Sequence, residues 1–298
     1  MTEERNYRDL REHIELLDDK GLLITIDEPI DKVSEMHPLV RWQFRGGIAE
    51  RDRKAFLFNN IVNAKGQRYK MPVVVCALAA SREIYSAGMD APVEAMGKKW
   101  SRPLSNTIAP KIVETAPCQE MVTQGADLLG EYNGLDALPI PISTPGFDSA
   151  PTLSATNVIS RDPETGVQNM GTGGAGGYVH WQKCKARGEK LECAIVLGCP
   201  PYTAFMGPQK LTIDLDIFDV AGGLAGGPIN VVKGVPVDLL VPAEAELVIE
   251  GVIDPQIVEP EGPFGESHGH IALEEYNMPM EVTANTRKRN PIIPSCIS

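Results

Sequence analysis

The chain has 298 residues, a net charge of −12 at pH 7 and 43% apolar residues. This length accommodates one large domain or two of ordinary size, and the apolar content is too high for a disordered chain. A surface that tracks phosphates needs concentrated lysine and arginine, which this acidic chain lacks, so nucleic acid is excluded as a partner. The same charge argues against binding to an anionic membrane surface.

Neither a secretory signal nor a membrane span is evident in the sequence. The N-terminal stretch reads MTEERNYRDLREH and has no apolar run, and no segment reaches the ~18 uninterrupted apolar residues of a transmembrane helix. We therefore predict a cytoplasmic protein with no membrane span. The six cysteines form no CxxC pair and are predicted to be free, buried thiols, as is usual in a reducing compartment.

Alternating helix and strand patterns extend over the first part of the chain. Apolar residues at helical spacing predict helices at 7–20, 34–45, 81–88 and 91–100. Short apolar runs predict strands at 22–26, 55–58 and 73–76. This alternation predicts an N-terminal α/β domain over residues 1–115.

The orientation of the first two helices is also predicted from the sequence. In the helix at 34–45, Leu39, Trp42 and Phe44 are expected to point partly inward. His13 and His37 lie on the first two helices and are expected to face solvent.

The pattern changes after a proline-rich connector at residues 138–146. Proline restricts the chain to extended forms, so this stretch is predicted to be a linker and not a central strand. Short runs rich in Val, Ile and Leu then predict strands at 152–160, 191–198, 229–233, 237–250 and 279–284. The fold class expected is therefore α/β plus β, with a β-rich domain of barrel type over residues 116–298.

The segment 260–269 carries the strongest chemical pattern. It reads PEGPFGESHG and places two carboxylates, Glu261 and Glu266, around a Gly-Pro-Phe-Gly turn that is stiffened by Pro263. An exposed glutamate titrates near ~4.3, but burial beside Phe264 would raise the pKa of one carboxyl enough to make it a proton donor. A surface loop with two solvated glutamates is the alternative interpretation.

The string PEGPFGE, followed by His-Gly, resembles the signature of the UbiD-like decarboxylases. Three further segments are similar to that family in order and spacing: 194–201, 221–226 and 241–251. The resemblance covers most of residues 10–298. It implies an N-terminal α/β domain and a split β-barrel that binds prenylated FMN. It also implies a divalent metal, usually manganese, and a monovalent ion such as K⁺ near the cofactor phosphate.

The resemblance also implies roles for individual residues. Glu266 resembles the glutamate that delivers the proton after CO2 leaves, and Glu261 resembles the glutamate that pairs with an arginine. Asn169 stands where the family has a metal-ligand asparagine. Cofactor binding is assigned by the same resemblance to Asn169, Met170, Gly171, Thr172, Met206 and Gly207.

The sequence departs from the family pattern at three places. No arginine stands among residues 170–177, where the resemblance implies one about five residues after Asn169. The stretch from Asn169 to Trp181 is also shorter than in the family by more than a dozen residues, which leaves His180 as the only imidazole nearby. Ile217 stands where a metal-ligand glutamate is expected, so Asp216 is the candidate substitute, because hard cations accept any carboxylate oxygen. Family members also continue for a further domain beyond the position of Ser298.

Three functions remain open from the sequence. The leading hypothesis is a prenylated-FMN-dependent (de)carboxylase of aromatic (hydroxyarylic) or α,β-unsaturated acids, acting as a homo-oligomer and supplied with cofactor by a flavin prenyltransferase. The second is a non-catalytic subunit or fragment beside an active paralogue, because the arginine and metal ligands are missing. A remote third is an NAD-binding oxidoreductase, because residues 171–176 formally match GxGxxG.

Overall fold

A computed structural model describes residues 5–171, 175–209, 211, 215–265 and 270–297. Its α-helices are, in chain order, α1 (Leu10–Asp19), α2 (Met36–Arg45), α3 (Arg82–Met89), α4 (Met96–Ser101), α5 (Ala175–Arg187), α6 (Pro201–Ala204) and α7 (Ile217–Ala225). Its strands are β1 (Leu23–Ile26), β2 (Ile30–Asp31), β3 (Ala55–Phe58), β4 (Ile61–Val62), β5 (Val73–Val75), β6 (Lys111–Ile112), β7 (Met121–Gln124), β8 (Thr156–Arg161), β9 (Gln168–Gly171), β10 (Leu191–Leu197), β11 (Asn230–Lys233), β12 (Leu240–Pro242), β13 (Leu247–Ile253), β14 (Glu259–Gly265), β15 (Ile271–Asn277), β16 (Met280–Arg287) and β17 (Ile293–Ser295).

One sheet is built from strands of both ends of the chain. Its order is β1-β3-β5-β17, in which β3 and β5 are antiparallel and the other two pairs are parallel. Strand β5 lies between β3 and β17, so all three of its valines are buried. Leu17 of α1 and Val40 of α2 pack into the same core as Phe58 of β3. The C-terminal strand of the predicted second domain thus completes the sheet of the first.

The largest sheet is antiparallel throughout, with the order β7-β16-β13-β10-β8-β9. A second core contains buried residues of β10, β13 and α7, including Val196, Val248 and Phe218. Among the described residues the strands form several open sheets and no closed barrel. The mixed α/β and β character is therefore confirmed, whereas the split-barrel arrangement stays a prediction.

The face that α2 buries differs from the one predicted. Met36, His37, Val40 and Gln43 are buried, whereas Trp42 is 68% exposed. The amide of Gln43 is satisfied by both backbone groups of Lys54, with distances of 3.0 Å and 2.8 Å, which makes its burial affordable. The prediction is confirmed for Phe44, which is partly buried against the first core, and wrong for Leu39 and Trp42, both exposed, because polar side chains of α2 find backbone partners inside.

His13 and His37 are also buried, contrary to the expectation that they face solvent. His13 is 0% and His37 1% exposed. Nε2 of His13 lies 2.8 Å from the carbonyl oxygen of Ala77, and Nε2 of His37 lies 3.0 Å from Oγ of Ser295. Burial lowers the pKa of each imidazole to about 4, in His37 with help from the charge of Arg41.

These two histidines make the fold sensitive to acid. Between pH 4 and 6.5 the unfolded chain binds more protons at His13 and His37 than the folded chain does, so stability is full above about pH 6.5 and decreases as the pH falls. We expect a loss of about 2 kcal/mol per histidine at pH 5 relative to pH 7. Urea unfolding at both pH values measures it. His13→Gln should remove about half of the loss and His13→Gln/His37→Gln most of it, and an unchanged pH dependence in the double variant would contradict the assignment.

Helix α7 is rich in glycine because another part of the backbone packs against it. A Cβ at Gly222 would lie 2.2 Å from the carbonyl oxygen of Ile108, and one at Gly223 would lie 2.4 Å from that of Asn106. No side chain fits at such distances, since the obstructing atoms are backbone. The glycines thus allow the segment before β6 to pass close to α7, although glycine is unfavourable inside a helix.

We expect Gly222→Ala to destabilise the fold by about 2 kcal/mol or more, since relief of the overlap needs backbone movement in a packed core. Helix propensity alone would predict the opposite sign, because alanine is favoured over glycine by about 1 kcal/mol. Gly97→Ala in α4 is the matched control, since nothing lies within 4 Å of a Cβ at Gly97. Thermal and urea unfolding of both variants should therefore give shifts of opposite sign, and equal shifts would refute the explanation.

Candidate functional site

Glu261 lies on a separate two-stranded hairpin, β14–β15. Its side chain is partly buried and accepts a hydrogen bond from the amide of Asn277 at the end of β15. The pairing of the two strands is irregular on both sides of Glu261, with register shifts toward Glu259 and toward Phe264. Bulges of this kind redirect side chains, and here they bring Glu261 within reach of Asn277.

The hairpin is held by the segment that follows the proline-rich connector. Asp148 accepts the backbone N–H of Gly265 at 2.8 Å and, with its other oxygen, that of Thr144 at 2.7 Å. The N–H of Ser149 donates to the carbonyl oxygen of Pro263 at 2.9 Å. A Cβ at Gly262 would lie 2.1 Å from Oγ of Ser149, so only glycine permits this approach. The PEGPFG strand is therefore fixed at both its glycines.

Two of the predicted site residues cannot be placed. Glu266 and Thr172 lie outside the described residues, and so does His268. Strand β14 ends at Gly265, one residue before Glu266.

The remaining predicted cofactor residues come together at one place. Strand β9 carries Asn169 and Gly171, and the turn after α6 carries Gly207, whose backbone oxygen would lie 3.9 Å from a Cβ on Gly171. A Cβ at Gly207 would lie 2.3 Å from Nδ2 of Asn157, which donates to the carbonyl of Ala204. Open backbone at Gly171 and a half-buried amide at Asn169 suit a planar polar group.

Met170 and Met206 have a different position from the rest of this set. Both side chains are 1% exposed and belong to the core beneath the six-stranded sheet. The predicted cofactor contacts of these two methionines are therefore not available at this surface.

Asp216 caps helix α7, where its Oδ1 accepts the N–H of Phe218 at 2.8 Å. Burial raises the pKa of this carboxyl above its usual value, and the N–H bond opposes the rise in part. Within the described ranges, no group of three or more His, Cys, Asp and Glu side chains could hold a metal ion. His180, the imidazole nearest to the expected ligand, is buried with Nδ1 at 2.9 Å from Oγ of Ser160.

The GxGxxG match at 171–176 has a strand before it and a helix after it, as a dinucleotide site requires. The sheet around it is antiparallel, however, because β9 forms a hairpin with β8. Such a site also needs an acidic residue about 20 residues further on, for which Glu189 and Glu192 are the candidates; Glu192 accepts the N–H of Asp238 at 3.0 Å, and Glu189 forms a salt bridge with Arg187. A dinucleotide fingerprint belongs to a parallel sheet with adjacent βαβ units, so this surrounding does not match it.

Residues 111–298 match the UbiD family, described as the 3-octaprenyl-4-hydroxybenzoate carboxy-lyase Rift-related domain. The chain belongs to the UbiD family. Residues 14–103 match the N-terminal domain of the same carboxy-lyase. The family resemblance seen in the PEGPFGE string is thereby confirmed.

Relatives of this UbiD-family chain are longer than it is. A protein of Aquifex aeolicus (strain VF5) is 31% identical, and the alignment covers 96% of this chain and 63% of the relative. The chain spans less than two thirds of the length of the curated relatives it matches. The Aquifex alignment extends over 332 residues, more than the 298 of this chain, so the relative contains residues there that this chain lacks.

Solved structures share the fold over nearly the whole chain. An evolved dimeric form of the UbiD-class enzyme HmfF from Pelotomaculum thermopropionicum, in complex with prFMN, has 31% identity and a TM-score of 0.86, covering 98% of this chain and 68% of that one. The apo 3,4-dihydroxybenzoic acid decarboxylase of Enterobacter cloacae has 26% identity and a TM-score of 0.82, covering 98% of this chain and 65% of that one.

No described helix is both long and apolar enough to cross a bilayer. All six cysteines are free, with Cys296 partly exposed and the others buried.

The contacts that fix the hairpin were not foreseen from the sequence. Asp148 and Asn277 carry no motif, and Asp148 lies 117 residues from its partner Gly265. The only local signal was the cluster of turn-forming residues around Thr144 and Gly146, which predicts a loop but not its contacts.

Proposed function

We propose that this chain is a UbiD-class (de)carboxylase that binds prenylated FMN and acts on an aromatic (hydroxyarylic) or α,β-unsaturated carboxylic acid. The observation that carries the proposal is the similarity to HmfF in complex with prFMN, at a TM-score of 0.86 over 98% of this chain. The PEGPFG strand and the cluster around β9 both lie in the part of the chain that matches the Rift-related domain. A split barrel around the cofactor and a cytoplasmic homo-oligomer belong to the same proposal.

The surface formed by Asn169, Gly171 and Gly207 is where we propose the cofactor is held. The amide of Asn169 offers polar contacts, and the exposed backbone at Gly171 lets a flat ring approach closely. When bound, prenylated FMN supplies an electron sink for the carboxylic acid that loses CO2. A flavin prenyltransferase would supply the cofactor.

The two glutamates have different proposed roles. Glu266 delivers a proton to the carbon from which CO2 has left. Glu261 is oriented by the amide of Asn277. Its carboxylate contributes to the electrostatic potential at the proton donor. Residues 170–177, which follow Asn169, contain no arginine, so we propose that the amide contact replaces the guanidinium that the family resemblance implies. A neutral amide donor binds a carboxylate more weakly than a guanidinium does.

A manganese ion does not fit the side chains of the described residues. Asp216 is committed to the cap of α7 and no cluster of three ligand residues accompanies it in those ranges. We therefore derive no catalytic role for a metal. The proposal requires that the cofactor bind through Asn169 and backbone groups.

Reconstitution tests the proposal directly. The chain is incubated anaerobically with prenylated FMN and desalted, and the flavin absorbance that remains with the protein is measured. CO2 release is then followed with a panel of hydroxybenzoic and cinnamic acids. Retained flavin with CO2 release supports the proposal, and a protein that stays colourless overturns it.

A non-catalytic subunit is the second candidate. It is favoured by the missing arginine and by the lack of a metal-ligand cluster in the described residues. This candidate predicts flavin-free protein that copurifies with a complete paralogue, whereas CO2 release by the chain alone would remove the need for it.

A further inference from the structure

A cavity of about 430 Å³ lies beside the segment that anchors the hairpin, since its Arg41 contacts Ser143 and Thr144. It is bordered by the C-terminal turn of α2, by the segment that follows β5 and by the residues that follow β17. The residues that line it include Arg41, Phe44, Arg45, Cys76, Leu78, Ala79 and Cys296. The volume is within the ~300–1,000 Å³ that ligand pockets occupy.

Two arginines of α2 line this cavity. Arg41 and Arg45 are four residues apart on the helix, so their side chains share one face. Burial lowers the pKa of Arg41 and the charge of Arg45 lowers it further, while the carboxylate of Asp148 opposes both only in part. Two like charges at this spacing destabilise a helix, and an anion between them reverses the sign of the interaction. The two arginines also form a local concentration of positive charge in a chain whose net charge is −12.

Arg41 is held in place before any ligand arrives. Its Nη2 donates to the carbonyl oxygen of Ser143 at 2.7 Å and lies 3.4 Å from Oγ1 of Thr144. A positioned guanidinium loses little side-chain entropy when it binds a carboxylate. Arg45 is exposed and completes the site from the side of solvent.

The rest of the wall is mainly apolar and contains one strained residue. Phe44, Leu78 and Ala79 contribute the apolar surface. Cys76 has φ of 65°, in the left-handed region that non-glycine residues avoid. Such residues cost about 1–3 kcal/mol and cluster at ligand sites. An inorganic anion would leave the apolar wall in contact with water, whereas an organic acid covers it.

We propose that this cavity binds a small organic acid, with its carboxylate on Arg41 and Arg45 and its apolar body against Phe44 and the segment after β5. None of its lining residues belongs to the hairpin that carries Glu261 or to the surface around Asn169, although Arg41 contacts Thr144, which shares the carboxylate of Asp148 with Gly265. It does not depend on the proposed decarboxylase activity, because none of its residues is part of that machinery.

Isothermal titration calorimetry with benzoate tests the chemistry of the site. Benzoate should bind, whereas benzyl alcohol, which lacks the charge, and inorganic phosphate, which lacks the apolar body, should bind at least about tenfold more weakly. Arg45→Gln should weaken benzoate binding by about tenfold or more, the scale of one charge-assisted hydrogen bond. Arg51→Gln is the control, since its side chain is 84% exposed and does not line the cavity.

Arg45 is chosen for substitution because Arg41 also supports Ser143, so a change there would disturb the fold. Ala79→Trp is a second variant that fills the cavity without altering charge, since Ala79 is exposed at its edge. It should abolish benzoate binding while the thermal unfolding midpoint stays near that of the wild type.

Cys296 reports where the ligand sits. It lines the cavity and is partly exposed, and burial raises the pKa of its thiol to about 11, so labelling by a small methanethiosulfonate is done at mildly alkaline pH. Benzoate should slow labelling of Cys296 in the wild type but not in Arg45→Gln. Absence of binding at millimolar benzoate, or a Cys296 that is unprotected in the wild type or equally protected in both variants, would overturn the proposal.

Discussion

Replacement of Glu246 by glutamine is expected to reduce the free energy of unfolding by about 3–5 kcal/mol. Glu246 is 0% exposed and lies just before β13. Its carboxylate accepts two hydrogen bonds from Arg11 and one from Lys288, each at 2.9 Å, and a fourth from the N–H of Ile292, also at 2.9 Å. All of its acceptor capacity is thus used.

The large effect arises from the cation that the substitution leaves behind. The side chain of Lys288 is only 8% exposed, and its remaining partner is Asp9 at 2.9 Å. Burial opposes the charge on Lys288, but Glu246 and Asp9 together hold the pKa of the amine above its usual value. With a neutral glutamine, a buried ammonium keeps one carboxylate instead of two, and breaking one partner of a buried pair is more costly than removing both.

Urea denaturation at pH 7 measures this loss. Glu189→Gln is the matched control, because Glu189 forms a salt bridge with Arg187 at 2.9 Å in which both side chains are almost half exposed. Exposed pairs contribute about 0–1 kcal/mol, so that variant should be close to the wild type. Similar losses in the two variants would mean that the buried cluster has no special role.

Glu266→Gln is expected to lower kcat for CO2 release by about two to four orders of magnitude in chain reconstituted with prenylated FMN, since a positioned proton donor contributes that much. Glutamine has nearly the same shape as glutamate but carries no acidic proton. Flavin retention should be unchanged, because Glu266 is not among the residues proposed to hold the cofactor. This outcome depends on the proposed decarboxylase activity.

Glu259→Gln provides the comparison for this experiment, because Glu259 is an exposed carboxylate on the same strand β14. Its variant should retain wild-type rates. Flavin absorbance, measured on each sample, separates a lost proton donor from a lost cofactor. A Glu266→Gln enzyme with full activity would remove Glu266 from the mechanism, even if the chain is a decarboxylase.

The order of helices and strands could be predicted largely from apolar spacing. The strand at 55–58 and the stop of the first helix before Gly21 agree with the structure, because local propensity and burial favour the same result there. The buried face of α2 could not be predicted in this way. His37 and Gln43 are buried there because Ser295 and Lys54 provide partners, and those contacts are set by tertiary structure.

The candidate site was predictable only in part. The two glycines and the proline of PEGPFG predict a stiff turn, whereas residues 259–265 form the irregular strand β14, because pairing with β15 overrides the local turn preference. The anchors of that strand could not be found, since Asp148 and Ser149 are more than a hundred residues away in sequence. The glycine-rich segment 221–226 was recognised by resemblance, but its helical form depends on a close backbone approach that sequence patterns do not encode.

The position of β17 at the edge of the first sheet has a consequence for synthesis of the chain. Ile293 to Ser295 pair in parallel with Val73 to Val75, more than two hundred residues earlier. A nascent chain that has emerged only as far as α7 cannot complete that sheet, so the free side of β5 stays unpaired until translation reaches the last strand. Pairing over such a sequence separation is slow and leaves an exposed strand for a chaperone to cover on the ribosome.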